Sequence, residues 1–232
     1  MNKKEVVKTI MTKMEPEMSR FGLKNSFKHK WFTKQQDKYF KGYYRLIAYD
    51  SFNYTNRTVG IRIEPDVFIQ NIEVEKVCEE ISSIGLELNK LSTIGNEIAE
   101  IITNPSGEYL SRNNELKIFF DELNPEITAN ALLKYFEKVA LPYIERFANW
   151  QSLDEIFNNN LDKSSVHCWL YPERHIRGII IAKMLGKNNL FELIMLHTKG
   201  IERSQNEQYI VELERLLKVV DRIPIINWKS TN

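Results

Sequence analysis

Apolar and polar residues alternate along positions 38–69, KYFKGYYRLIAYDSFNYTNRTVGIRIEPDVFI, the two-residue period of a half-buried strand. Tyr43, Arg45, Ile47 and Tyr49 share one face, and Phe40, Gly42, Tyr44, Leu46 and Ala48 share the other. A turn at 54–57 and a second run, with Val59, Ile61 and Ile63 opposite in phase to Gly60, Arg62 and Glu64, predict an antiparallel hairpin. Its sheet should have one packed face and one largely solvated face. Pro65 cannot donate to a ladder, so a bulge or a sheet edge is expected there.

The flanking pattern is helical on both sides. Val6, Ile10, Met14 and Met18 recur every four residues up to about Arg20, with Pro16 expected to kink or restart that helix and Gly22 to end it. Residues 26–32 alternate as a first strand. A short helix is expected over 72–83 with Val74, Val77, Cys78 and Ile81 inside. Between 86 and 102 helix and strand both fit, 104–107 is a loop, and 116–120 (LKIFF) reads as a last strand.

From Asn124-Pro125-Glu126, an N-cap followed by an N1 proline, the chain turns helical. Leu132, Phe136, Val139, Tyr143 and Phe147 form a stripe that Pro142 should kink near Lys138. Capping boxes are predicted at Ser152/Glu155 and Ser204/Glu207. Pro172 should open a helix closed by Gly186, and Asn188 or Asn189 one closed by Gly200. The fold class is therefore α+β: a mostly antiparallel sheet domain with an N-terminal helix over residues 1–122, then a helical bundle over 123–232 packed on it.

Composition changes the picture only through charge distribution. Net charge is +1, yet residues 1–62 hold 14 Lys and Arg against 5 Asp and Glu, leaving 18 against 26 for the rest. The two parts either attract each other within the molecule or face different partners. Two separated cysteines, Cys78 and Cys168, suit reduced, packed thiols and a cytoplasmic location. The N-terminal stretch has its apolar residues broken by charge, so no signal peptide or membrane span is expected.

The order of features, a helix ending in Phe21-Gly22-Leu23-Lys24-Asn25, aromatic strands ending in VGIRIEP, and a helix containing Ala140-Leu141-Pro142-Tyr143-Ile144-Glu145-Arg146-Phe147, resembles the bacterial family named domain of unknown function 4304. The resemblance spans roughly residues 1–150. It implies an α+β domain, and because that family has no established activity it carries over no catalytic residue.

Motifs for chemistry are sparse. The chain has no GxSxG, no HExxH, and no phosphate loop, since Gly186-Lys187 lacks both the upstream glycine and a following Ser/Thr. His167, Cys168 and His175 are close in sequence, but three candidates in an apolar setting read better as packing than as a metal site; no metal or cofactor is expected. His29 and His197 show no partner in the sequence. Glu64 and Asp66 alternate with Arg62 and read as structural ion pairs rather than a catalytic acid pair.

What remains is binding. Trp31, Tyr43 and Tyr49 interleave with Lys38, Lys41, Arg45 and Arg62 on or beside the hairpin. Rings and guanidinium groups on a rigid sheet suit a protein interface, and by analogy small proteins of this kind act as immunity or antitoxin-like binders. The same residues, with the lysines over 28–62, also fit a stacking platform for single-stranded nucleic acid. The expected function is thus non-enzymatic binding of a macromolecule, with protein ranked before nucleic acid.

Overall fold

A computed structural model describes residues 3–53, 58–85, 92–108, 118–120, 124–159, 161, 163–168 and 173–227. Helix α1 (Lys3–Arg20) buries Val6, Val7, Ile10, Met11, Met14 and Met18 and runs through Pro16 without stopping. The proline removes one hydrogen bond, and buried methionines on either side hold the helix continuous. Gly22, at φ +78°, then ends it. Its N–H meets the Ser19 carbonyl at 2.9 Å and that of Leu23 meets the Met18 carbonyl at 3.0 Å, the paired bonds of a Schellman cap.

Strands β1 (Lys24–Ser26) and β2 (Trp31–Gln35) form a small hairpin. The single strand expected over 26–32 is thus broken: residues 27–30 turn, with Lys30 at φ +58°. Strands β3 (Phe40–Asn53) and β4 (Thr58–Asn71) pair without slippage from Phe40↔Asn71 to Asn53↔Thr58. The turn expected at 54–57 lies outside the described residues. Pro65 causes no bulge, being held opposite Leu46. On its other side β5 (Ile94–Glu97) ends opposite Asp66, and β6 (Ile118–Phe120) begins opposite Ile63. The one residue with no N–H to offer falls in that gap between partners. The sheet order is β1-β2-β3-β4-β5, all antiparallel, with β6 also on β4.

Helices α2 (Ile72–Ile81) and α3 (Ile98–Thr103) follow β4 and β5, so the ambiguous stretch contains both a strand and a helix. Gly95, at φ +148°, has Val67 O and the Phe68 backbone within 2.5 Å of where a Cβ would stand, so only glycine fits. Helix α4 (Pro125–Tyr135) starts on Asn124, whose side chain accepts from the Glu126 and Ile127 N–H groups. A π-helical turn over Phe136–Ala140 leads into α5 (Leu141–Phe147). Pro142 disturbs the helix as expected near Lys138, and the chain absorbs the missing bond by widening one turn.

Helix α6 (Trp150–Asn158) is capped by Asn149, and α9 (Glu207–Val219) by Asn206. The expected capping boxes are therefore misplaced: Ser152 lies inside α6, and Ser204 ends the preceding helix α8 (Leu190–Ser204). In each case an asparagine three or two residues nearer the true start takes the role. Gly200 does not close α8, which continues to a left-handed Gln205. A Cβ at Gly200 would stand 2.3 Å from the His175 ring, so the residue marks a close helix approach. Helix α7 (Glu173–Met184) is the hub of this part: Arg174 through Ala182 are all buried, with α2, α6, α8 and α9 packed around it.

The architecture is α+β, with the N-terminal helix α1 and the mid-chain helix α5 packed on the sheet. One sheet face carries the core: Phe32, Phe40, Tyr44, Leu46, Ile63, Val67 and Ile69 pack with α1, α4 and α5. Ile144 of α5 occupies the space a Cβ would need at Gly42, and the Tyr44 hydroxyl donates to the Leu132 carbonyl at 2.9 Å. Three ion pairs cross from the basic first 62 residues to the acidic remainder: Arg45–Asp66, Arg62–Glu64 and Lys13–Glu126, the last at 2.6 Å. Among the described residues, the uneven charge is thus partly spent inside the molecule.

Candidate binding face of the sheet

Strand alternation puts Trp31, Lys41, Tyr43, Arg45, Ile47, Tyr49, Arg62, Glu64, Asp66, Phe68, Gln70 and Glu97 on the face opposite the core. Six of the seven expected binding residues, Trp31, Lys41, Tyr43, Arg45, Tyr49 and Arg62, therefore meet on one surface. Lys38 does not join them. It lies in the turn before β3, with its ammonium 4.7 Å from the Tyr39 ring, and Tyr39 packs on Trp150.

The face is ordered from the rings outward. Tyr43 stacks on Phe68 with centroids 5.2 Å apart, and Trp31 meets Tyr43 edge-on at 5.1 Å. His29, partnerless in the sequence, stacks on Trp31 at 4.6 Å. The Arg45 guanidinium lies 4.9 Å from the Phe68 ring and its Nε donates to Asp66 Oδ2 at 3.0 Å. Arg62 lies 5.1 Å from the Tyr49 ring and pairs with Glu64 at 2.5 Å. Both arginines are thus pinned between a ring and a carboxylate, a geometry suited to their planar group.

This face is less solvated than alternation alone suggests. Tyr43, Glu64, Asp66 and Gln70 are all buried, because long neighbours lie flat across them. Burial pushes the Tyr43 hydroxyl up to about 12, and it donates to Gln70 Oε1 at 2.9 Å. Asp66 is pushed up to about 6, chiefly by burial; Arg45 opposes this, while Glu97 and Glu64 add to it. Burial and the same three carboxylates also raise Tyr49. Glu64 and Asp66 do not act as a shared acid pair, since each takes its own arginine.

Phe68 and Glu97 complete the face without having been anticipated. Phe68 was within reach of the pattern, continuing the series Arg62, Glu64, Asp66. Glu97 was not, because its strand sits in the ambiguous stretch.

The cluster of possible metal ligands disperses in three dimensions. His167 Nδ1 faces the Tyr143 hydroxyl at 3.1 Å, and burial holds its imidazole down to about 4. His175 Nδ1 faces His197 Nδ1 at 3.0 Å, and His197 Nε2 meets Asn158 Oδ1 at 2.8 Å, so His197 does have partners. Cys168 is held up to about 11 by burial. Among the described residues no three His, Cys, Asp or Glu are placed to hold a metal ion, and no helix is long and apolar enough to cross a membrane. Comparison with family models, with curated proteins and with solved structures finds no match to this chain.

Proposed function

We propose that this protein is a non-enzymatic binding module that engages another protein through the open face of its sheet, in the manner of an immunity or antitoxin-like binder. The observation that carries this reading is the charge balance of the face: Arg45 and Arg62 are already neutralised by Asp66 and Glu64, and Glu97 adds a further carboxylate. Nucleic-acid affinity comes from cations that release counterions at phosphates. It also needs ring faces open to bases, whereas His29 covers Trp31, Phe68 covers Tyr43, and Arg62 covers Tyr49. A protein partner needs neither, and gains from rings and guanidinium groups already held in place. Tyr49, exposed along β3, extends that surface as an anchor.

Nucleic acid has one support, since Lys24, Lys28, Lys30 and Lys34 near the β1–β2 hairpin carry no ion pair among the described residues. The two readings separate in one experiment. Wild-type protein and a Tyr49→Ala/Arg62→Glu variant are used as bait in native extract, and each is titrated with single-stranded RNA at low and moderate salt. A stoichiometric protein partner retained by wild type and lost by the variant, with no RNA bound, is the expected result. RNA binding with a steep salt dependence, abolished by Lys28→Glu/Lys34→Glu or by Lys38→Glu/Lys41→Glu, overturns the proposal.

A further inference from the structure

A second site, sharing no residue with the sheet face, lies between α2, α7 and α9, which line an open-mouthed cavity of about 200 Å³. Its walls are part apolar, from Ile81, Ile84, Ile176 and Cys78, and part polar, from Glu173, Arg177, Gln208, Tyr209 and Glu212. What distinguishes it is the direction of its hydrogen bonds. Arg177 donates from Nε and Nη2 to both oxygens of the fully buried Glu75, and from Nη1 to Glu173 at 2.7 Å. The Tyr209 hydroxyl donates to Glu173 at 2.9 Å, and Gln208 Nε2 donates to Glu212 at 3.3 Å. Arg177, Tyr209 and Gln208 thus each already donate to a carboxylate.

The acceptors beside them are not all engaged. Glu212 is 7% exposed, and all its bonds, from Ser83 N, Ser83 Oγ and Gln208 Nε2, fall on Oε1. Its Oε2 has no hydrogen-bond partner among the described residues, and neither does Gln208 Oε1. The Tyr209 oxygen keeps its lone pairs, having given its proton to Glu173. Charge points the same way. One guanidinium serves Glu75 and Glu173, and the nearby Arg215 is turned to the Ile81 and Ser82 carbonyls at the end of α2. A largely buried carboxylate held by long, neutral donors, with its second oxygen open to the cavity, favours a cation there.

We propose that this cavity binds a primary ammonium group on an aliphatic stem, the ammonium donating to Glu212 Oε2, Tyr209 Oη and Gln208 Oε1 while the stem lies along Ile81, Ile84 and Ile176. An ammonium has three donors and no acceptor, matching the three acceptors grouped on this side of the wall. The apolar side suits methylenes and disfavours a hydrated metal ion. The source is either a free alkylamine or a lysine side chain of a polypeptide, and neither depends on the sheet-face reading.

The full chain is titrated with n-butylammonium chloride, 1-butanol, sodium chloride and the peptide acetyl-Gly-Lys-Gly-amide, followed by calorimetry and thermal shift. Saturable binding of butylammonium, absent with butanol and sodium chloride, is expected. Glu212→Gln should weaken it at least tenfold. Should that variant misfold, Ile84→Trp decides, since Ile84 is exposed at the rim and a larger ring there blocks entry from outside the core. Tighter binding of the peptide than of butylammonium assigns a lysine source, and the reverse a free amine. No saturable response to either amine, or binding undiminished in Ile84→Trp, overturns the proposal.

Discussion

The chain uses the arginine–carboxylate pair in two settings. Around α7, Arg177 and Glu75 have side chains 7% and 0% exposed; on the sheet, Arg45 and Asp66 are 39% and 6% exposed. The chemistry is the same and the surroundings differ. In the helical hub no water compensates a lost partner, so the pair is fixed once folding has enclosed it. On the sheet the guanidinium keeps one side wet, and the pair is a surface that can be presented.

The sharpest way to break this comparison is Glu75→Gln. It strands the Arg177 guanidinium with Glu173 alone and loosens Thr93, whose hydroxyl donates to Glu75 at 2.7 Å. A loss of about 3–5 kcal/mol in urea unfolding is expected. A loss under about 1 kcal/mol means the hub tolerates charge as the sheet does, and the distinction fails.

The histidine pair beside the hub gives the next effect. Asn158 Nδ2 donates to Asp154, so its Oδ1 faces His197 and fixes the His197 proton on Nε2. His197 Nδ1 then accepts from His175 Nδ1. Burial holds both imidazoles below the ordinary 6.5, His175 to about 4, with the Arg174 charge adding to the effect on each. Their unfolded forms bind protons first, so this contribution is complete above pH 6.5 and lost as pH falls toward 4. Unfolding midpoints measured from pH 7 to 4 should fall, and His175→Asn/His197→Asn should flatten that limb. An unchanged slope in the double variant removes the pair from the account.

Gly200→Ala tests the same junction through packing. Alanine normally favours a helix, but here its Cβ meets the His175 ring, so a loss of about 1–3 kcal/mol is expected in place of a gain. Increased stability means that ring moves aside freely.

These two regions were also unequally legible in the sequence. The sheet could be read because a period of two assigns Tyr43, Arg45 and Tyr49 to one face and Phe40, Tyr44 and Leu46 to the other, whatever lies above them. The hub could not. Charged residues in Glu173-Arg174-His175-Ile176-Arg177 suggest a wet helix end, yet four of the five are buried, because their partners come from far along the chain. Arg177 meets Glu75 across 102 residues, and His175 meets His197 across 22. Local pattern carries no record of such pairings. Gly200 and Ser204 misled for a related reason: each matches a helix-end signal, and tertiary contact or a neighbouring asparagine overrides it.

The finest distinction comes from Asp66→Asn on the sheet. Asp66 holds its proton up to about 6 in the fold against 3.8 ordinarily, so its contribution favours folding most at low pH and is lost as pH rises through 6. That sign is opposite to the histidines. The variant deletes the ionisation but leaves Arg45 on the Phe68 ring and partly in water. At pH 7 the two effects nearly cancel, and a change within about 1 kcal/mol is expected. Relative to the variant, wild type should lose stability between pH 4 and 6, read by urea titrations at each pH. A loss of several kcal/mol at pH 7 instead places Arg45–Asp66 in the class of Arg177–Glu75: a pair that the fold cannot spare, and so a poor candidate for a surface offered to a partner.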